Sequence, residues 1–273
     1  MFKKLKTIMV MVLILVLTVS VVGCGVKAND GEKEMTKLEK IQAKGKIVLG
    51  TCADYPPYEF HKEINGKDEI VGFDIEIAKV IAENLGVELE IKDMKFDGLL
   101  AALVADDIDF IIAGMVPRED RKESVDFSIP YYQAEQKILI KAEDAEALNS
   151  IESLKGLKIG AQKSTVQEDI AKDKLEAGEV KALGKITDLV LELMNNKIDG
   201  IVLVAPVAEA YAKQNTDLMV PEFTLGKEDG VAVAVNKGNA DLLAEIDKTL
   251  EELINDGSID KFIQEATALA EEE

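Results

Sequence analysis

One pentapeptide pattern occurs twice in this chain and sets its architecture: Ile108-Asp109-Phe110-Ile111-Ile112 and Ile198-Asp199-Gly200-Ile201-Val202. Each copy follows helix-spaced apolar residues and a short polar turn, with Leu99, Leu100 and Leu103 before the first and Leu189, Val190, Leu193 and Met194 before the second. An apolar run this short, bounded by turn residues, reads as a buried strand. Two copies of one helix-to-strand unit predict two lobes of similar construction. The same alternation fills the rest of the chain. Strand-like runs occupy residues 46–50, 87–91, 137–140, 157–160 and 229–235. Helical spacing covers Phe73, Ile77, Val80, Ile81 and Leu85, with Asp74 placed to cap and Gly86 to terminate, and recurs in acidic helices around 242–254 and 259–269. This order predicts an α/β protein with mainly parallel sheets flanked by helices. Residues 37–136, completed by 234–273, form the first lobe and residues 137–233 the second. Strands near 137–140 and 229–235 are expected to cross between them as a hinge, leaving a cleft lined by loops at strand ends.

The chain has 32 basic and 52 acidic residues and a formal charge of −20, which argues against a nucleic-acid partner, since that role needs basic patches. One local arginine can still serve an anionic ligand, because a diffuse field is screened. Lys3, Lys4 and Lys6 precede an uncharged, largely apolar run from residue 8 to 22 that ends in Val22-Gly23-Cys24. A basic start, an apolar middle and small residues at the boundary describe a secretory signal over residues 1–23. A membrane-spanning anchor is the alternative, the run being near the length a span needs. The cysteine after Gly23 resembles the lipobox of bacterial lipoproteins, which implies a lipidated Cys24, a flexible tether over residues 24–36 and a working part on the outer face of the cytoplasmic membrane. Cys52, the one other cysteine, then has no disulfide partner.

Residues 108–132 concentrate the chemistry. A buried strand there stops at Gly114-Met115 and delivers Pro117, Arg118, Asp120 and Arg121 into a loop. In open α/β sheets ligands sit beyond the carboxyl ends of strands. An arginine fork at that place suits a carboxylate through two parallel charge-assisted hydrogen bonds. No HExxH, no Cys/His ligand set and no Gly-rich phosphate loop is present, so neither metal nor cofactor is expected. His61, the single histidine, reads as solvent-facing, neither cysteine has an activating motif, and acidic pairs such as Asp106-Asp107 read as solvated turns.

The ordered pieces Gly50-Thr51 with Tyr55-Pro56-Pro57-Tyr58-Glu59, Val71-Gly72-Phe73-Asp74, Phe96-Asp97-Gly98-Leu99-Leu100, Ala113-Gly114-Met115 with Arg121-Lys122, Val125-Asp126-Phe127-Ser128 and Leu154-Lys155-Gly156 resemble bacterial extracellular solute-binding proteins of family 3. The resemblance implies a monomeric receptor whose two lobes close by hinge motion on a polar amino acid and deliver it to an ATP-driven (ABC) importer. It implies Arg121 as the clamp of the ligand α-carboxylate, the alternative being a surface arginine paired with Glu119 or Asp120. Thr165 with Ser164 would meet the same carboxylate at a helix start, or simply cap that helix. Tyr55 and Phe96 would sandwich the ligand side chain, although Phe96 also belongs to the apolar stripe of its helix. The Gly114 carbonyl would accept from the α-ammonium.

Two positions depart from the pattern. Val116 stands where a hydroxyl is common and Val204 where an acid is common, and both groups serve the α-ammonium in the family; Arg118 stands where a capping Thr is usual. Asp54 is either a substitute acid for an ammonium or basic side chain, or a turn residue before Pro56. Cys52 reads as buried filler. Those departures leave open a second receptor class, for a small carboxylate or modified amino acid lacking a normal α-ammonium. A lyase on the same fold is a further alternative, and no catalytic residue is assigned.

Overall fold

The structure, a computed structural model, describes residues 34–227 and 229–272; the expected signal, Cys24 and most of the tether lie outside the described residues. Helix α1 (Lys37–Lys44) starts with a capping box, Thr36 Oγ1 accepting from the Glu39 amide while Glu39 Oε2 accepts from the Thr36 amide. Strand β1 (Lys46–Thr51) leads to a three-stranded antiparallel sheet of β2 (Asp54–Tyr55), β3 (Glu59–Ile64) and β4 (Lys67–Val71). Then come α2 (Phe73–Leu85), β5 (Glu88–Asp93), a 3-10 turn (Phe96–Gly98) running into α3 (Leu99–Val104), β6 (Phe110–Ile111), α4 (Glu119–Lys122) and β7 (Val125–Tyr132). The chain continues through β8 (Glu135–Lys141), β9 (Lys158–Gln162), α5 (Val166–Asp169, extended by a π turn, Ile170–Lys174), β10 (Glu179–Leu183), α6 (Ile186–Met194), β11 (Gly200–Val204) and α7 (Ala205–Gln214). Short β12 (Leu218–Met219) and β13 (Gly226–Lys227) precede β14 (Val231–Asn236), α8 (Ala240–Asn255) and α9 (Ser258–Glu271).

Two sheets organise these elements, in the orders β5-β1-β6-β14-β7 and β10-β9-β11-β8-β12, with β13 also on β8. In each, the first three strands pair in parallel and the strands arriving from the other side pair antiparallel. The repeated pentapeptide explains the likeness. Asp109 Oδ2 accepts from the Val48 amide and Asp199 Oδ2 from the Lys158 amide, both at 2.8 Å, so each aspartate ties its strand to the neighbouring parallel strand. The preceding isoleucines also match. A Cβ at Gly50 would overlap Ile108 Cδ1, and a Cβ at Gly160 would lie 2.6 Å from Ile198 Cδ1. Each isoleucine therefore packs over a glycine of the central strand, and Ile108 and Ile198 are fully buried.

The hinge position differs from the sequence expectation. Strand β8, which contains residues 137–140, lies wholly in the second sheet, and β14 lies wholly in the first. Among the described residues the chain passes between sheets at 133–134 and between β13 and β14, so Glu135 and Gln136 pair in the second sheet and Val231–Val233 lie in the first. Hydropathy alone could not separate a crossing strand from a core strand, since both read as apolar runs. Helix α8 packs on β7 and α2, while α9 lies against α2, α8 and, in the second lobe, α7. There Gln214 Nε2 donates to the Ala270 carbonyl at 3.2 Å.

Candidate functional site

The loop after β6 is held from below by a buried acid. Gly114 takes a left-handed φ of +54°, and its amide donates to Asp74 Oδ2 at 2.9 Å. A side chain on Gly114 would press on the Tyr55 ring, 3.3 Å from its Cε1. Asp74 therefore does not cap α2, whose N-cap is Gly72; its carboxyl also receives the Tyr131 hydroxyl at 2.9 Å and abuts Glu59. Burial raises Asp74 to about 7, against hydrogen bonds from Gly114 and Tyr131 that pull it down. Burial and then the neighbouring Asp74 charge hold Glu59 well above the usual carboxylate range. An acid set between Phe73 and Ile75 in a fully apolar helix face was the available sequence signal for this support.

Arg121 leaves α4 and is buried, 5% exposed, which rules out the surface alternative. Its Nη1 donates to the Val116 carbonyl at 2.7 Å and its Nη2 to the Ser164 carbonyl of the opposite lobe at 2.6 Å. The guanidinium carbon lies 5.4 Å from the centre of the Phe96 ring. Phe96 thus offers its ring to Arg121 and also lines the cleft beside it. Among the described residues no carboxylate lies within ion-pairing distance of Arg121. Burial, then the charge of Arg118, lower its pKa to about 10. Asp120 and Asp169 act on it only at longer range, so an incoming carboxylate makes a direct pair that recovers part of the Coulomb energy that desolvation cost.

From the second lobe, β9 delivers Gln162, Ser164 and Thr165. Thr165 Oγ1 donates to the Gln162 carbonyl at 2.6 Å and accepts from the Glu168 amide at 3.3 Å, so its hydroxyl caps α5. The Ser164 amide donates to Glu168 Oε2 at 2.8 Å, and its backbone is left-handed at φ +67°. Tyr55, Phe96, Gly114, Val116, Arg121 and Thr165 line one common, nearly filled space of about 10 Å³. Gln162 and Gln167 complete its polar wall. Both are buried, Gln167 donating to Gln136 Oε1 at 3.0 Å. Sequence reasoning missed these glutamines, which carry no charge or spacing signal.

Asp54 is placed elsewhere. Its Oδ2 accepts from the Ile186 amide at 2.6 Å and from the Thr187 amide at 3.5 Å, so a first-lobe carboxylate caps second-lobe helix α6. Cys52 Sγ donates to its other oxygen at 3.4 Å, and the Asp54 carbonyl accepts the Tyr211 hydroxyl at 2.7 Å. Burial raises Asp54 to about 6. Removing a helix cap costs about 0.5–2 kcal/mol. Asp54→Ala is therefore expected to shift the ligand-free protein toward an open cleft by roughly two- to thirtyfold in population, seen as a larger radius of gyration in small-angle scattering; an unchanged profile would contradict this role. At the mouth, Arg118 spans the lobes, pairing with Asp120 at 3.0 Å and Asp169 at 2.7 Å, and Lys163 meets Asp97 at 2.8 Å. These exposed pairs are each worth little, about 0–1 kcal/mol. His61 pairs with Asp68 at 2.9 Å and lies 3.6 Å from Asp93, which also meets Lys185 of the second lobe at 3.0 Å.

Known proteins share this construction. The arginine-binding extracellular protein ArtP of Bacillus subtilis (strain 168) is 36% identical over 80% of this chain and 85% of its own length. A probable histidine-binding protein of Campylobacter jejuni is 31% identical over 80% and 83%. The crystal structure of the amino acid ABC transporter substrate-binding protein AbpA from Streptococcus pneumoniae bound to L-arginine superposes with a TM-score of 0.82 at 36% identity, covering 86% of this chain and all of that one. Among the described residues no helix is long and apolar enough to cross a membrane. The profile of one family matches residues 47–266, which include both sheets, the Asp74-supported loop and the Arg121 clamp, and this chain belongs to that family, the bacterial extracellular solute-binding proteins, family 3.

Proposed function

We propose that this chain is the solute receptor of an ABC importer, capturing a polar amino acid between its lobes and handing it to the membrane permease. The buried Arg121, which borders the cleft and has no carboxylate in direct contact, carries this reading. The names of relatives that bind arginine or histidine support the solute class. Ligand contact with both lobes favours the closed form by its differential affinity. The receptor works as a monomer, catalyses no reaction, and is held at the outer face of the membrane by lipid on Cys24, a role its setting after Val22-Gly23 supports.

The unit Thr36–Glu273 is compact by itself and suits a thermal-shift screen. Amino acids and their acylated, hydroxy and deaminated derivatives are the probes. A true ligand at a hundredfold its Kd adds about 2.7 kcal/mol, or roughly 5–10 °C in Tm. Absence of any shift across all series at millimolar concentration would defeat the receptor reading.

A further inference from the structure

Arg121 accounts for the carboxylate of an amino acid. The ammonium on the same carbon needs hydrogen-bond acceptors, and two buried glutamines in the lining are set to supply them. Gln162 Nε2 donates to the Gly184 carbonyl at 3.4 Å and lies 3.6 Å from Cys52 Sγ. A carbonyl only accepts, so the nitrogen end of this amide must face Gly184 and the oxygen is left as the free end. Gln167 Nε2 donates to Gln136 Oε1 at 3.0 Å, which leaves its oxygen free in the same way. Among the described residues no group donates to Gln162 Oε1 or Gln167 Oε1. Neither oxygen is sealed in packing, although the two residues are only 5% and 6% exposed. A buried amide oxygen without a donor is costly, and a solute N–H removes that cost.

The room between these groups, about 10 Å³, suits one group the size of a water or an ammonium. A larger cleft of about 340 Å³ shares Phe96 and Arg121 with it and has space for the rest of the solute. The acids that line this cleft already have partners, Asp97 with Lys163, Asp120 and Asp169 with Arg118, and Glu168 with Lys172. Asp54, also buried, is committed to the amides of α6. The counter-charge of the ammonium is the solute's own carboxylate on Arg121, so the protein has to supply hydrogen bonds there rather than an anion. Asp120 and Asp169 offset the remaining guanidinium charge at longer range. Resting on the receptor reading above, we propose that Gln162 and Gln167 determine specificity for an α-amino acid, their two amide oxygens accepting the solute's α-ammonium, with Gln136 positioning Gln167.

Calorimetry on the unit Thr36–Glu273 with L-arginine, L-glutamine and their deamino counterparts tests this. The unaltered protein should bind at least one parent about tenfold or more tighter than its deamino counterpart, the scale of a hydrogen bond to a charged group. Gln167→Leu and Gln162→Leu should each lower that ratio about tenfold, and either serves if the other does not fold by circular dichroism. Gln167→Glu, which puts a carboxylate at the same acceptor, should raise it. Opposite shifts from two substitutions of similar size separate an ammonium contact from a packing role, which would move both compounds alike. A deamino compound bound as tightly as its parent by the unaltered protein would overturn the inference and leave the receptor reading standing. An unchanged ratio in the folded leucine variants would overturn it too, as would an equal fall in Asp169→Asn, which would put the ammonium among the acids of the larger cleft. Binding of none of these compounds would also overturn it, and the wider thermal-shift screen then decides the receptor reading separately.

Discussion

Arg121→Met is expected to remove solute binding while leaving the ligand-free fold as stable as before or more so. The loss follows from geometry: Arg121 is the one cation in the lining, and its two protein hydrogen bonds hold the guanidinium between Val116 and Ser164. Truncating one partner of a buried charge pair costs about 2–5 kcal/mol, or roughly thirtyfold to several-thousandfold in Kd. Stability should move the other way because the ligand-free protein buries a cation with no carboxylate in direct contact, and burial outweighs the more distant Asp120 and Asp169 in lowering its pKa to about 10. Replacing buried charge by an apolar side chain of similar volume is often neutral or stabilising. Calorimetric titration and melting of the same preparation check both halves. Retention of affinity within about tenfold would remove Arg121 from the site.

The second large effect concerns pH. Asp74 has a folded-state pKa of about 7 against an ordinary 3.8, so the folded state holds its proton more tightly than the unfolded chain. Its stabilising share is complete below pH 4 and is lost as pH rises toward 7. Asp54, raised to about 6, acts with the same sign. Carboxylates with lowered values, such as Asp93, Asp106 and Glu168, act oppositely, but below the ordinary carboxylate range. Between pH 5 and pH 8 the raised acids therefore dominate, and the protein should be more stable at pH 5 by roughly 2–3 kcal/mol from Asp74. Asp74→Asn keeps an oxygen for the Gly114 amide and removes the proton equilibrium. Melts at the two pH values should show the Asp74 share of the difference vanishing in the variant, leaving the part that Asp54 and Glu59 supply. Equal pH dependence in both proteins would place the titrating groups elsewhere.

The parts of the molecule legible in the sequence are those set by local pattern. The twin Ile-Asp strands, the capped helices and the strand end that offers Arg121 depend on spacing and burial periodicity, which neighbours in the chain supply. Tyr55, Phe96, Gly114, Val116, Arg121 and Thr165 do meet at one space. Their partners were less legible. Asp54 looked available to a ligand and instead caps α6, because its partner amides lie more than a hundred residues away. Phe96, which lines the cleft, also lies over Arg121, a contact its spacing in the sequence did not announce. Asp74 looked like a helix cap and supports the ligand loop from a distant turn.

What the sequence determined by itself is therefore the inventory: two α/β lobes, a guanidinium at a strand end, and valines at positions 116 and 204 where polar groups were expected. Only the tertiary structure decided which charges remain unneutralised. Hydrogen bonds across the cleft commit Asp54, Asp97 and Asp169 to protein partners and leave Arg121 with carbonyls alone. The physical reason is that charge compensation acts over a few ångströms in space, whereas the groups that supply it are scattered along the chain.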